Sequence, residues 1–374
     1  MFGRIRLYFK SFDWLLFIGM ALVVGVGLSA LYSISMGGGG EGIALFQKQL
    51  IVASIGFGLY FLLSTIDYHT WQSVSRWVYV MMLLLLVATL LFGQEINATR
   101  GWIGVGGWVF QPVELAKLVA ILVLSAYFAQ RAREIDRLSN LLQSFLLVAL
   151  LIGLILLQPD FGSAALLLAL WLGLVLVIGV RRQYLVGLVV VGILSFLLGW
   201  FVLFEPYQKA RLVTFIMPSQ ADSAASYNVR QATIAIGSGG MFGKGFGEGS
   251  QSQLRFLPEA ETDFIFAVVA EELGFVGILV LFSFFALVYA RLFLVLTRAS
   301  DWFASFVVLG SIMLLSVEIF INAAMAMGIF PVVGIPFPFV SAGGSSLLVH
   351  LMMFGILQNI ARIEGSRGYR VSRL

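Results

Sequence analysis

Long apolar runs recur along the whole chain of 374 residues, and they constrain the fold more than any other feature. A helix needs about 20 apolar residues to cross ~30 Å of hydrocarbon. Only 11% of the residues are charged, against roughly 25% in a soluble domain. The sequence therefore predicts an all-α, polytopic integral membrane protein, a single domain over residues 1–374 with about ten transmembrane helices. The runs lie near residues 14–35, 47–66, 77–93, 112–129, 141–158, 161–180, 184–204, 263–290, 303–329 and 344–361.

The positions of lysine and arginine predict the orientation, because cytoplasmic loops carry the excess of these residues. The short outer connections at 36–46, 159–160 and 330–343 contain neither residue. We therefore expect a multi-pass protein with both termini in the cytoplasm. With the N-terminus inside, the inner segments hold 15 of the 23 basic residues: Arg4, Arg6, Lys10, Arg76, Arg131, Arg133, Arg137, Arg181, Arg182, Arg291, Arg298, Arg362, Arg367, Arg370 and Arg373.

The one long connection, residues about 205–262, is predicted to be extracytoplasmic. Its basic residues are Lys209, Arg211, Arg230, Lys244 and Arg255. Basic residues on the outer side oppose the excess of lysine and arginine expected in cytoplasmic loops. They are either tolerated in a long loop or form a basic surface for an anionic ligand at the outer leaflet.

The long connection contains a glycine-rich segment, residues 237–249. It lacks the spacing of a nucleotide-binding loop, because Ser238 stands six residues before Lys244 and Gly245 follows it. A mobile loop whose amides touch a phosphate is the remaining functional interpretation.

The residue types present indicate that any acid–base chemistry is carried by carboxylates. The chain has no cysteine, which excludes disulfides, thiolate nucleophiles and cysteine zinc sites. Its two histidines, His69 and His350, are far apart in sequence, which disfavours a histidine-rich metal site.

Ionisable residues inside predicted spans are candidate site residues, since each costs roughly 2.5–3.5 kcal/mol to insert. Glu114 and Lys117 are i, i+3 neighbours just after Pro112. They form either a self-neutralising ion pair or a lysine that binds phosphate and is held by its glutamate. Glu318 and Asn322 are i, i+4 in the ninth run, where a polar contact between helices is the favoured role.

Two aspartates lie at predicted outer helix ends. Asp160, in a tight turn, either caps the next helix or belongs to a site. For Asp263 the alternatives are a helix cap, supplied by it or by Thr262, and a catalytic carboxylate. Glu271 and Glu272 follow ~12–13 Å further along if the helix is continuous, which suggests a polar cavity behind Asp263.

Four blocks of the sequence, in order between residues 100 and 346, resemble the shape, elongation, division and sporulation family. The blocks are Gln111-Pro112 with Glu114 and Lys117; Gln158-Pro159-Asp160; residues 234–240 with 251–267, which include Pro258-Glu259 and Thr262-Asp263-Phe264; and residues 331–346, from Pro331 to Gly343-Gly344-Ser345-Ser346. Ser252-Gln253-Leu254 and the Glu261 before Thr262 resemble the elongation branch, RodA. Residues 206–211 lean towards the division branch, FtsW, which stays the alternative.

The resemblance implies a peptidoglycan glycosyltransferase that polymerises lipid II, with inversion, at the outer face of the bacterial cytoplasmic membrane. Such a reaction needs a base for the attacking hydroxyl and cationic help for the departing lipid pyrophosphate. Asp263 occupies the position of the family's essential aspartate. Glu114, Lys117 and Asp160 carry over as supporting residues, and charge and placement add Arg211 and Arg255. A divalent cation, Mg²⁺ or Mn²⁺, could share the pyrophosphate charge, although the sequence shows no metal ligand set.

The implied partners are a class B penicillin-binding protein that supplies the transpeptidase, lipid II and membrane lipids, with no nucleic acid. Two rival functions remain, a lipid II flippase and a non-catalytic scaffold of the wall machinery. Polymerisation of lipid II in detergent would separate them, because detergent has no second leaflet and a pure flippase would show no product there.

Overall fold

The chain folds into a bundle of long helices in a computed structural model that describes residues 8–37, 40–96, 99–106, 108–132, 134, 137–203, 209, 215 and 224–371. Within these ranges ten helices are long and apolar enough to cross a membrane, as the sequence predicted. Two others, α8 and α9, fall in the predicted long connection. The helices are α1 Trp14–Gly37, α2 Gly40–Thr65, α3 Tyr68–Phe92, α4 Pro112–Gln130, α5 Leu138–Leu156, α6 Phe161–Ile178, α7 Arg182–Leu198, α8 Ala224–Gly239, α9 Ser250–Gln253, α10 Ile265–Arg298, α11 Trp302–Ala326 and α12 Gly344–Val371.

Burial separates central helices from peripheral ones. The apolar windows of α4 and α12 are each 78% buried and that of α11 is 67% buried, whereas the window of α7 is 6% buried. A helix that is apolar all round is expected in the middle of a bundle. Helix α4 packs against α3 and α11, α12 lies along α2, and α10 packs against α1 and α8. Helices α4, α11 and α12 therefore form the core that positions the polar residues described below.

A small antiparallel sheet between α3 and α4 departs from the all-α prediction. Its strands β1 Gln94–Ile96, β2 Thr99–Val105 and β3 Trp108–Phe110 pair in the order β1-β2-β3. Strands β1 and β3 have three residues each, too few to show an alternating pattern that a sequence reader can detect. The sheet leads directly into Gln111 and the start of α4.

The predicted long connection is partly helical, since it contains α8 and α9. Arg211 lies outside the described residues, as do its neighbours at 204–208, 210–214 and 216–223. The extracytoplasmic position of the connection stays a prediction.

Helix α10 forms the predicted span, but it is broken at Gly274, just after Glu271 and Glu272. Gly274 has φ 67° and ψ −167°, a region of backbone space used almost only by glycine. The glycine-rich segment fills the break. The amides of Lys244 and Gly245 donate to the carbonyls of Glu271 and Glu272, at 3.0 and 3.1 Å. These two amides already donate to backbone carbonyls. They are therefore not available to bind a phosphate, as the sequence had suggested.

The side chains of Glu271 and Glu272 are buried against direct partners rather than beside the predicted polar cavity. Glu272 accepts hydrogen bonds from the Ser33 hydroxyl of α1 at 2.5 Å and from the Gln253 amide at 3.2 Å. The two acids therefore fasten the glycine-rich segment, α9 and α1 to α10. The donors to Glu271 are Lys244 Nζ at 3.2 Å and the backbone amides of Gln251 and Ser252 at 2.9 and 3.2 Å.

The break predicts a strong dependence on glycine at position 274. A Cβ added there would stand 2.2 Å from the Gly243 amide nitrogen, so Gly274→Ala should lower the free energy of unfolding by roughly 1–3 kcal/mol or more. Gly153→Ala in α5 is the control, because its added Cβ would meet nothing within 4 Å. Thermal unfolding of purified protein in detergent measures both. Equal melting temperatures would mean that the break does not require glycine.

The predicted orientation can be tested with single cysteines, since the chain has none of its own. Cysteine at the exposed position Glu248 should react with a membrane-impermeant maleimide in intact spheroplasts. Cysteine at the exposed position Ser73, on a predicted inner segment, should react only after the membrane is broken. The reverse labelling pattern would invert the orientation.

Candidate functional site

A buried ion cluster ties the three central helices together. Lys117 Nζ of α4 lies 2.8 Å from Glu114 Oε1 one turn earlier and 3.0 Å from Glu318 Oε1 of α11. Glu318 Oε2 lies 2.7 Å from His350 Nε2 of α12. None of the four residues is more than 3% exposed. The sequence had paired Glu114 with Lys117, and the structure extends that pair to a four-residue cluster.

The hydrogen bonds of His350 indicate the charge of this ion cluster. His350 Nδ1 lies 2.7 Å from the Ser346 carbonyl, which can only accept, so Nδ1 carries a proton. The 2.7 Å contact between Nε2 and the Glu318 carboxyl needs a second proton between those two atoms. With that proton, Lys117 and the His350–Glu318 pair balance the negative charge of Glu114, and the formal sum is zero. Neutrality is what burial in a membrane demands.

Lys117 is therefore a structural cation rather than a ligand for phosphate. Its ammonium group is held by two carboxylates and its side chain is 2% exposed. A ligand could reach it only by displacing Glu114 or Glu318 and stranding a buried charge, which is costly. Of the two interpretations of Glu114 and Lys117, the structure favours the ion pair.

One helical turn along α11, Asn322 connects the ion cluster to the outer loops. Its side-chain amide donates to the Asp263 carbonyl at 2.9 Å and to the Ile335 carbonyl at 2.7 Å. Glu318 thus makes the helix-to-helix contact predicted for it, whereas Asn322 contacts loop backbone rather than another helix. Through Asn322, α11 fixes the backbone at Asp263 relative to Glu318 and Lys117.

The segment 331–346 packs on the residues around Asp263. The Ala342 amide donates to the Glu261 carbonyl at 2.7 Å, and the Ser341 hydroxyl donates to the Thr262 carbonyl. Gly334 faces the Asp263 carboxylate, since a Cβ added there would stand 3.6 Å from Asp263 Oδ2. Two of the blocks that carry the family resemblance are therefore in direct contact.

Asp263 is not the helix cap. The N-cap of α10 is Phe264, which makes no side-chain cap hydrogen bond, and the Thr262 hydroxyl donates to Glu259 Oε2 at 2.9 Å. The Asp263 side chain is half-buried. The structure thus assigns the N-cap position to Phe264 rather than to Thr262 or Asp263, and Asp263 stays a candidate for chemistry.

Asp160 does cap its helix, and it also joins the same corner of the molecule. Its carboxylate accepts from the Ser163 amide at 2.9 Å and the Ser163 hydroxyl at 2.8 Å. Gln111, the residue before Pro112, reaches Asp160 Oδ2 at 3.5 Å. The backbone of 331–346 also comes close, because a Cβ added at Gly162 would stand 2.5 Å from the Val333 carbonyl oxygen.

Two arginines were predicted to supply positive charge, and the structure describes one of them. Arg255 is exposed just after α9, with a left-handed φ of 56°. Arg211 lies outside the described residues. The structure does not bring Arg255 into the Lys117 cluster. Lys244, another basic residue of the long connection, is paired with Glu271.

The described residues do not form a metal site built by the protein. In that part of the chain no group of three histidine, cysteine, aspartate or glutamate side chains could hold a metal ion. The acids near α10 accept from protein donors instead, as Glu271 and Glu272 show.

Sequence reasoning missed His350 as a member of the ion cluster. It had set the two histidines aside because they are far apart from each other in sequence. The available signal was the neighbouring block, since Ser345 and Ser346 begin the helix that carries His350. The Ser345 hydroxyl accepts from the Gln111 amide at 2.8 Å, which joins this block to the start of α4.

A family model and two curated relatives match this chain over most of its length. The model is described as "Cell cycle protein", covers FtsW, RodA and SpoVE, and matches residues 8–365. Peptidoglycan glycosyltransferase MrdB of Escherichia coli K12 is 36% identical over 86% of this chain and 86% of its own. A probable peptidoglycan glycosyltransferase FtsW of Geobacter sp. M18 is 35% identical over 87% of this chain and 89% of its own.

The fold is also similar to a solved structure. A chain of a peptidoglycan synthase complex, described as coordinating polymerization and crosslinking, superposes with a TM-score of 0.79. The two chains are 29% identical, and the match covers 94% of this chain and 98% of the other. This similarity confirms the polytopic helical architecture.

The ion cluster predicts strong coupling between Glu114 and Lys117. Changing either residue alone to alanine strands a buried charge, at a cost of roughly 3–5 kcal/mol, and the double change should cost much less than the sum. Thermal unfolding in detergent of the two single variants and the double variant gives the coupling.

The matched control is the exposed pair Glu134 and Arg137, which has the same i, i+3 spacing and a distance of 3.0 Å. An exposed pair contributes about 0–1 kcal/mol, so this cycle should be nearly additive. If the Glu114 and Lys117 changes were equally additive, the two groups would be energetically independent and the cluster would not stabilise the bundle.

Proposed function

The chain belongs to the cell cycle protein family of FtsW, RodA and SpoVE, and from this premise we propose that it polymerises lipid II, with Asp263 as the catalytic base. Its activity is that of a peptidoglycan glycosyltransferase, the name that its MrdB and FtsW relatives carry. The membrane location follows from its ten long apolar helices.

The observation that carries the proposal is the convergence of the sequence blocks on Asp263. The backbone of Glu261 and Thr262 is held by the segment 331–346, and the Asp263 carbonyl is held by Asn322. The Asp263 side chain itself is half-buried and faces Gly334. A glycine opposite the carboxylate leaves room for a substrate hydroxyl, which a larger side chain would occupy.

The proposed reaction transfers one proton, forms one C–O bond and breaks another. The 4-hydroxyl of one sugar attacks the anomeric carbon of another, and a C–O bond forms as the bond to the lipid pyrophosphate breaks. Inversion follows from attack opposite the leaving group. The hydroxyl proton passes to the Asp263 carboxylate, a step that contributes typically 10²–10⁴-fold. The pyrophosphate leaves with its negative charge, which a cation at the outer face stabilises.

Arg255 is our candidate for that cation, because it is exposed just after α9 on the segment that leads to Asp263, whereas Lys117 is buried. Arg211 stays a candidate by sequence position alone. Glu114, Lys117 and Asp160 support the site by fixing α4 and α6 and make no contact with the reacting atoms in this proposal. A divalent cation carried by the pyrophosphate remains a prediction, and no step is assigned to it.

We assign the chain to the elongation branch on Ser252-Gln253-Leu254 and Glu261. The sequence identities to MrdB and FtsW, 36% and 35%, are nearly equal. They therefore do not distinguish the elongation branch from the division branch. A class B penicillin-binding protein is the proposed partner, by analogy with the peptidoglycan synthase complex whose chain shares this fold. The cytoplasmic membrane, with both termini inside, is the proposed location.

The decisive prediction concerns Asp263. Asp263→Asn should lower the rate of lipid II polymerisation at least ~100-fold, because the amide cannot accept the hydroxyl proton. The assay uses purified protein with its penicillin-binding partner in detergent, and gel separation of the glycan products measures the rate. Polymerisation by the unchanged protein in detergent would also argue against a pure flippase.

Asp301→Asn is the matched control. Asp301 is the N-cap of α11, where it accepts from the Ala304 amide at 3.3 Å, at the end of the bundle opposite to Asp263 in the predicted topology. Losing a cap costs about 1 kcal/mol of stability, so this variant should polymerise nearly normally. If Asp263→Asn kept more than about a tenth of the unchanged rate at matched melting temperature, Asp263 would not be the base.

A further inference from the structure

A cavity of about 580 Å³ opens between α3, α4 and α5, away from Asp263. The start of α3 and the end of α4 surround it, and Leu147 of α5 completes the lining. Because successive spans alternate in direction, these two termini lie on one side of the membrane. The positions of lysine and arginine predict that this side is cytoplasmic.

The charge of the cavity lining is one-sided. Arg76 of α3 and Arg131 at the end of α4 line it, and the described residues of its lining include no aspartate or glutamate. Neither arginine forms an ion pair with a carboxylate in the described part of the chain. The histidine of the lining, His69, is held by Asp67 at 2.7 Å and leaves the two guanidinium groups as the cations that face the cavity.

Arg131 is held in place for binding. Its guanidinium carbon lies 4.1 Å from the centre of the Tyr127 ring. The Tyr127 hydroxyl is fixed in turn by the Asn140 carbonyl at 3.1 Å and by Gln143 at 3.0 Å. A stacked guanidinium keeps its N–H groups at the edge of its plane, where they can bind two phosphate oxygens at once.

The rest of the lining suits a ligand with a polar and an apolar end. Val123 and Leu147 provide an apolar wall on the membrane side, and Gln72 and Gln130 provide amide groups near the arginines. Trp77, at the rim, has 69% of its surface exposed, as aromatic residues at the head-group level of a bilayer commonly do.

The depth of the cavity matches the head-group region. Arg76 immediately precedes the apolar run 77–93, and Arg131 follows the run 112–129. Both guanidinium groups therefore stand at the edge of the hydrocarbon. Basic pockets between transmembrane helices on the cytoplasmic side are known to take anionic lipid head groups.

We propose that this cavity binds the phosphate head group of an anionic phospholipid of the inner leaflet, with Arg76 and Arg131 as its ligands. The site is separate from the polymerisation site and does not depend on the function assigned to Asp263. The lipid would bridge α3, α4 and α5 at the end of α4, the helix that carries Glu114 and Lys117 at its other end.

The test measures lipid binding to the purified full chain by native mass spectrometry in detergent. The probes are dioleoyl phosphatidylglycerol and dioleoyl phosphatidylcholine, which share their acyl chains and differ in net charge. Phosphatidylglycerol should bind tightly and phosphatidylcholine at least tenfold more weakly. Arg76→Gln with Arg131→Gln should weaken phosphatidylglycerol binding about 30-fold.

The matched control is Arg182→Gln with Arg298→Gln. These two exposed arginines lie at the start of α7 and the end of α10, on the same predicted side and outside the cavity. The control removes the same net charge and should change phosphatidylglycerol binding less than threefold. Ser73→Glu, which adds a carboxylate to an exposed position of the lining, should weaken binding without removing an arginine.

Four results would overturn the proposal. Equal loss in the cavity variant and the control variant would show binding to the basic surface in general. Equal binding of the two lipids would exclude charge recognition. Displacement of phosphatidylglycerol by glycerol phosphate at equal concentration would identify a soluble anion as the ligand. If the double arginine variant did not fold, unchanged binding by folded Ser73→Glu protein would reject the site.

Discussion

The rest of the structure depends on the neutralisation of Lys117 inside the membrane. An uncompensated charge at this depth would cost several kcal/mol, and two carboxylates remove that cost by approaching from different helices. The requirement fixes geometry as well as charge. The contact between Lys117 and Glu318 joins α4 to α11, and the contact between Glu318 and His350 joins α11 to α12. The three most buried helices are therefore joined where a polar group would otherwise be unsatisfied.

A second constraint acts on the other side of Asp263. The break at Gly274 frees backbone carbonyls, which receive amides of the glycine-rich segment. Glu271 and Glu272, which precede the break, hold α9 and α1. The first part of α10, which follows Asp263, is thus clamped at its inner end while Asn322 holds its outer end. A carboxylate on such a support can stay half-exposed and still keep a fixed position, as a catalytic group requires.

The sequence predicted the features that depend on composition and missed those that depend on contact. Ten spans could be located because each needs a long apolar run, and Glu318 and Asn322 could be recognised as polar residues that need partners. The break in α10 could not, since Gly274 is one glycine among 40 and only its φ of 67° distinguishes it. His350 was missed because its partner is on another helix. The candidate base came from the family resemblance, and the structure then assigned the N-cap of α10 to Phe264 rather than to Asp263.

The distribution of charge supports the proposal that the cation for the leaving group comes from outside the bundle. Among the described residues of the core, Lys117 is held by two carboxylates and the His350–Glu318 pair has no net charge, so neither offers a cation to a pyrophosphate. Lys244 is likewise paired with Glu271. Arg255 is exposed on the segment that leads into α10, which is why the proposal assigns the cation to it. A membrane enzyme built this way keeps its interior neutral and places its chemical charges at the surface, where water can solvate them until substrate arrives.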